Sequence, residues 1–183
     1  QAPFPRAGER AGDWGISFHY AQPIFPIICY RLHWTLVLMI PSIILGAVLG
    51  TVMGSLAGWK RGGQFDVIVS PILLLLYSTP GYWLAMLLAL ILGFYLDLLP
   101  FYGMTSSDSV GLERALDILR HVILPVSVLT IYKTAQNYLI TRGSIIQVSG
   151  EGYILTARAK GLGEIAVLFK HMLKNAMLPL VTA

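Results

Sequence analysis

Three long stretches without charge constrain this chain more than any other feature. Trp34 to Trp59 gives 26 consecutive residues lacking Asp, Glu, Lys and Arg, and Val67 to Leu96 gives 30. Val122 to Thr141 gives 20 more, interrupted only by Lys133. About 20 apolar residues in a helix cross the hydrocarbon core of a bilayer. Inside that core each backbone N–H and C=O must find its partner within the segment, which selects helix for isolated spans. The expectation is an all-α integral membrane protein, a polytopic bundle of transmembrane helices. It should hold about three full spans and the start of a fourth near Ala176. Only 12% of residues are charged and 56% are hydrophobic, where a globular domain carries about 25% charge.

The second run is too long for one straight helix. At about 1.5 Å per residue it would reach roughly 45 Å, against a core of roughly 30 Å. Pro71 and Pro80-Gly81 are the positions where it should kink. A tilted, kinked helix is the expected form, and a broken helix lining a cavity is the alternative. Residues 1–15 lack the apolar core of a signal peptide, and the final "LPLVTA" reads as the opening of another apolar run. The chain is therefore expected to be the middle of a longer membrane protein.

Basic residues between the spans set the orientation. The segments 60–66 and 142–174 carry Lys60, Arg61, Arg142, Arg158, Lys160, Lys170 and Lys174. The segment 97–121 carries Arg114 and Arg120 against Asp97, Asp108, Glu113 and Asp117. The positive-inside rule then gives an external segment 1–33, a helix 34–59 and a cytoplasmic turn 60–66. A long kinked helix 67–96, an external loop 97–121 and a helix 122–141 follow. A cytoplasmic loop 142–175 and the next span, 176–183, complete the layout. The net charge of +4 is not gathered into a basic stripe interleaved with aromatics, which argues against nucleic acid as a partner. The lone cysteine, Cys29, cannot form an internal disulfide.

Two helix faces carry more than hydropathy. Ser42, Gly46, Gly50, Gly54 and Gly58 recur every four residues, stacking small side chains on one stripe where another helix can approach closely. In the third span Thr130, Lys133, Thr134, Asn137 and Thr141 share one face. A charged residue at mid-span costs about 2.5–3.5 kcal/mol on insertion scales, so Lys133 is a functional candidate by default. Two readings stand for it: a water-filled translocation path lined by Thr130, Lys133, Thr134 and Asn137, or a side chain that snorkels to the surface.

The stretch "EGYILTARAKGLGEIAVLFKHMLKNAMLPL", 151–180, departs from everything before it. Glu151 to Lys160 reads as a short helix ended by Gly161, slim at its far end through Ala157, Ala159 and Gly161. A second helix follows, with an apolar stripe of Ile165, Leu168, Phe169, Met172, Leu173 and Ala176 and a polar face of Lys170, His171, Lys174 and Asn175. That pattern fits a helix at the membrane surface which supports a slim projecting helix.

"YILTARAKGL" followed by "FKHMLKNAMLPLVT" resembles the cytoplasmic EAA loop of permease subunits of ABC importers. Leu155, Thr156 and Ala157 stand at the first three positions of that motif, so its Glu is absent. The spacing from Gly161 to Leu178-Pro179 exceeds that of the general pattern. Both departures are similar to the oligopeptide, dipeptide and nickel branch of these importers. "GDWGISF" (12–18) and "STPGYWLAMLLALILGFYLDLLPFYGM" (78–104) resemble that branch's B-type subunit. The resemblance implies a type I importer permease of a prokaryotic inner or plasma membrane, working by alternating access. Its partners would be a second permease subunit, two ABC ATPase subunits and an external solute-binding protein, with lipid around them. It implies that Glu151, Tyr153, Leu155, Thr156, Ala157, Arg158, Ala159, Lys160, Gly161 and Leu162 form the element coupling the permease to its ATPase. Peptides head the expected solutes, with nickel, glutathione and oligosaccharides as alternatives on the same architecture.

The chain holds no G-x-x-x-x-G-K-[ST] phosphate loop, so ATP and Mg are expected on a partner subunit and this chain is not expected to be an enzyme. No cofactor or metal site is expected. An intramembrane protease would need a nucleophile and base at membrane depth. The candidates His19, His33, His121 and His171 all lie at or beyond the span ends. A channel or purely structural membrane subunit is the remaining alternative, and the projecting helix argues against it.

Overall fold

The computed structural model describes residues 14–100, 102, 103, 105 and 110–177. Helices α1 (Ile24–Trp59), α2 (Gln64–Ser78), α3 (Gly81–Leu88, continued as a π-helical segment Ala89–Tyr95), α4 (Leu112–Ser149) and α5 (Gly152–Ala159) follow in order. The last, α6, is built of three consecutive pieces, Glu164–Ala166, a π-helical Val167–Met172 and Leu173–Ala176. By length and apolarity α1 and α4 are each able to cross a membrane, and α2 and α3 together have the length and apolarity of a third span bent at its middle. The chain divides inside α1 into two compact units, one ending at Ile40 and the other beginning at Pro41.

In the first unit a tight turn precedes α1. Ser17 N donates to Gln22 O at 2.9 Å and Ile24 N to Gly15 O at 3.0 Å, so the chain doubles back before the helix starts. Arg31 lies over the Tyr20 ring, 5.5 Å from its centre, and donates to its hydroxyl at 2.5 Å. The helix begins ten residues before the expected Trp34, and Pro26 is tolerated because it falls in the first turn, where no N–H is required.

The second unit is organised around α4. This helix runs 38 residues without a break, where a 20-residue span was expected. It absorbs the end of the expected external loop and the start of the expected cytoplasmic one. Glu113 sits in its first turn, where a carboxylate suits the helix dipole, and polar residues at both ends extend it beyond its apolar middle. Three small apolar cores lie along it. Leu84, Leu124 and Val128 join α3 to α4, while Ala57, Leu73, Ala135 and Tyr138 join α1, α2 and α4. Ile145, Ile154, Ala157, Val167, Leu168, Met172 and Ala176 close α5 and α6 onto the end of α4.

The run 67–96 is broken rather than kinked. α2 and α3 meet at 103° across Thr79 and Pro80. Pro80 supplies no N–H to continue the helix, and it pushes Thr79 into extended geometry (ψ 133°). The Ser78 and Thr79 hydroxyls donate back to the Leu74 and Leu75 carbonyls at 2.8 Å each, and Thr79 N is shared between Leu75 O and Leu76 O, the carbonyl that Pro80 leaves without its usual donor. Pro71 lies inside α2 and ends nothing. The expected fourth span, 176–183, falls outside the described residues beyond Met177.

Candidate functional site

The passage that set the sequence apart folds onto the end of α4. After Ser149 the chain turns at Gly150, Glu151 adopts extended geometry (φ −74°, ψ 142°), and α5 runs from Gly152 to Ala159. Gly161 has φ +76°, a conformation that costs a side-chain-bearing residue strain, and open space surrounds the position of its missing Cβ. Glycine is therefore needed there for the backbone turn.

α5 is anchored by one face. Ile154 and Ala157 are buried against Ile145, Val167, Leu168 and Met172. Ala157, expected where a partner fits most tightly, faces the chain's own core, and its small size lets α5 sit close to α6. Asn175 Nδ2 donates to Tyr153 Oη at 2.8 Å. Arg158 donates to Glu164 Oε2 at 3.0 Å, and Trp59 Nε1 reaches the same oxygen at 3.0 Å. Trp59 first, and then Arg158, hold the Glu164 carboxyl below the usual carboxylate range. The end of α1, the helix α5 and the start of α6 thus meet at one carboxylate.

The other face of this element is open. Glu151, Tyr153, Leu155, Thr156, Arg158, Ala159, Lys160, Gly161 and Leu162 are all exposed, as is Ile165 just beyond them. Leu155 is 61% and Ile165 67% accessible, large apolar side chains placed beside basic ones. In α6 the apolar stripe is shifted from the expected one. Leu168, Met172 and Ala176 are buried together with Val167, whereas Ile165 and Phe169 face outward. The wider i→i+5 turns of the π segment Val167–Met172 depart from the ordinary helical register on which the expected stripe was drawn.

The small-residue stripe meets α4 along its length. A Cβ added at Gly50 would stand 2.6 Å from the Thr134 carbonyl oxygen and from Asn137 Cβ. At Gly54 it would stand 2.7 Å from the Tyr138 carbonyl, and at Gly58 2.9 Å from that of Arg142. Gly46 approaches Lys133 Cβ in the same way, and the Ser42 hydroxyl reaches Val126 O at 3.4 Å. The stripe's partner is therefore the very face of α4 expected to line a path. Thr134 and Thr141 are buried in this contact, and Asn137 packs on Gly50. The hydroxyls of Thr130, Thr134 and Thr141 are enclosed with no hydrogen-bond partner among the described residues. Of the expected path residues only Lys133 is exposed.

A polar cluster not foreseen from the sequence ties α2 to α4. Arg142 Nε donates to Asp66 Oδ1 at 2.6 Å and its NH2 group to Oδ2 at 2.8 Å, a bidentate pair. Asp66 is only 4% exposed. It also accepts from Gly62 N at 2.9 Å and from the Ser70 hydroxyl at 2.8 Å, and Ser70 lies 2.7 Å from Tyr138 Oη. Every lone-pair direction of the carboxylate is thereby engaged, as a buried charge requires. The available signal was the level of the two residues: both stand where a span meets the basic side.

Beside the α2–α3 break a cleft of about 550 Å³ opens between α3 and α4. Gly81, Ala85, Val128, Tyr132, Lys133 and Gln136 are among its lining residues. The Tyr132 ring lies against Gly81, and Lys133 Nζ donates to Gln136 Oε1 at 3.2 Å. Among the described residues no group of three or more His, Cys, Asp or Glu is placed to hold a metal ion.

Residues 50–183 match the family described as binding-protein-dependent transport system inner membrane component. The dipeptide transport system permease protein of Escherichia coli (strain K12) is 35% identical, over 96% of this chain and 57% of its own length. A Sinorhizobium fredii protein named "Probable peptide ABC transporter permease protein y4tP" is 33% identical, over 93% of this chain and 53% of its own. The chain thus spans little more than half the length of these relatives.

Proposed function

Because the chain belongs to the family of binding-protein-dependent transport system inner membrane components, we propose that it is the permease part of an ATP-driven peptide importer. In this reading it forms one side of the solute path in a prokaryotic inner or plasma membrane. A second permease subunit completes the path, and an external binding protein delivers the solute. ATP and Mg are bound by two separate ATPase subunits, and this chain performs no hydrolysis. The peptide substrate class is supported by the peptide transport named for both relatives.

The observation that carries the coupling role is the two-sided build of α5. One face is fixed to α4 and α6 through Ile154 and Ala157, and the other presents Tyr153, Leu155 and Leu162 outward. A force on that outer face passes directly into the 38-residue helix α4. Leu155→Asp and Leu162→Asp are expected to release the ATPase from the membrane or to uncouple hydrolysis from uptake. Burying each leucine in a partner groove contributes about 1.5–3 kcal/mol, or roughly tenfold to a hundredfold in affinity. ATPase retention on vesicles, measured together with peptide uptake, decides the matter. Wild-type values in both variants would mean that α5 is not the coupling element.

The orientation follows from the basic residues at 60–61 and 142–174. Single cysteines at Gly63 and Gly163 should react with an impermeant maleimide only from the cytoplasmic side, and one at Val110 only from outside. Labelling of Gly163→Cys from outside would remove the ATPase from reach of α5 and end this reading.

A further inference from the structure

Among the described residues Lys133 has no charge partner, and it stands within the apolar middle of α4, where a charge is costly if lipid surrounds it. Gly58 packs on the Arg142 carbonyl and on Ile145. Trp59 and Lys60, the belt residues at the end of α1, therefore stand level with Arg142. Lys133 is nine residues further along α4, about 13 Å deeper at 1.5 Å per residue. A lysine side chain extends roughly 6 Å, so it cannot bring its ammonium to that boundary. The register of the glycine stripe against α4 thus puts the level of Arg142 beyond the reach of the Lys133 side chain.

Among the described residues Lys133 forms no ion pair, and its one side-chain partner is the neutral Gln136 amide. It lines the cleft between α3 and α4, and no carboxylate shares that lining. Asp66, the nearest acidic group by level on α2, is fully committed to Arg142, Gly62 and Ser70. The remaining walls are apolar or aromatic, with Tyr132 closing the side against Gly81. Such a site is complementary to a small solute carrying one negative group: the ammonium with its adjacent amide supplies donors, and the apolar walls supply no competing charge.

We infer that the cleft beside Lys133 receives the C-terminal carboxylate of a peptide in transit, with Lys133 as its counter-ion and Gln136 orienting the ammonium. The inference rests on the peptide-importer reading and adds to it a residue that selects solutes inside the membrane.

The experiment uses the complete importer, with binding protein and ATPases, reconstituted in vesicles. Uptake of one dipeptide with a free C-terminus is compared with that of its C-terminal amide, each normalised to its measured affinity for the binding protein. Lys133→Met should lower free-acid uptake about tenfold or more while leaving amide uptake near the wild-type rate, and Lys133→Arg should retain most free-acid uptake. Equal loss for both peptides would assign Lys133 a purely structural role and overturn the proposal. Unchanged free-acid uptake in Lys133→Met would overturn it equally. A wild-type importer that takes up neither form would instead bring down the peptide reading, and this site with it.

Discussion

Gly54→Leu is expected to abolish recovery of the assembled protein from membranes. Even a single methyl group at this position would meet the Tyr138 carbonyl at 2.7 Å and Thr141 Cβ at 2.9 Å. The carbonyl belongs to helix backbone, which cannot turn aside as a side-chain tip does. Overpacking costs about 1–3 kcal/mol where a core can yield, and here the relief available is to drive α1 away from α4. Separation at Gly54 would also open the contacts at Gly50 and Gly58, since one rigid stripe makes all three. Gly54→Ala should show an intermediate loss. Leu49→Ile, on the exposed side of α1, should stay within about 0.5 kcal/mol of wild type. The measurement is yield and thermal stability in detergent. Normal values for Gly54→Leu would mean that the stripe faces lipid.

The second large effect belongs to the Asp66–Arg142 pair. Arg142→Ala should destabilise the protein by about 3–5 kcal/mol, because it leaves a carboxylate enclosed without its counter-charge. Asp66→Ala together with Arg142→Ala should be less harmful than Arg142→Ala alone, since the double variant leaves no buried charge behind. That ordering is what separates a buried pair from an exposed one, worth about 0–1 kcal/mol. A double-mutant cycle on thermal unfolding reads it directly. Should Arg142→Ala cost less than about 0.5 kcal/mol, water reaches Asp66 and the pair holds nothing together.

What the sequence disclosed and what it withheld divide along the range of the interaction. The stripe Ser42–Gly46–Gly50–Gly54–Gly58 was legible because it is a local period on one helix. Its partner was not, because the matching surface on α4 carries Thr134, Asn137 and Thr141, a composition that equally suits water. Close backbone approach decides the matter, since small polar side chains are as compact as glycine's neighbours require. Pro80 marked the interruption of 67–96, while the size of the bend depends on how α3 packs on α4 through Leu84, Leu124 and Val128. α5 was legible almost to the residue, as Glu151, Gly152 and Gly161 punctuate it within a dozen positions. That Ala157 turns inward was not, because small size alone serves an internal core and an external groove equally well. Asp66 and Arg142 were each visible as flanking charges, but nothing local joins residues so far apart in the chain.

That separation has a consequence for how the protein is made. Asp66 and Arg142 are 76 residues apart. At about 5–20 residues per second, a ribosome delivers the arginine roughly 4–15 s after the aspartate. Through that interval α1 stands in the bilayer with its glycine groove unfilled, and α2 carries a carboxylate with no counter-ion. α4 supplies both missing parts at once, the surface for the glycine groove and the counter-charge for Asp66. Lesions in α4 should consequently be read by the cell as interrupted synthesis, through loss of the protein, rather than as an inactive product that persists.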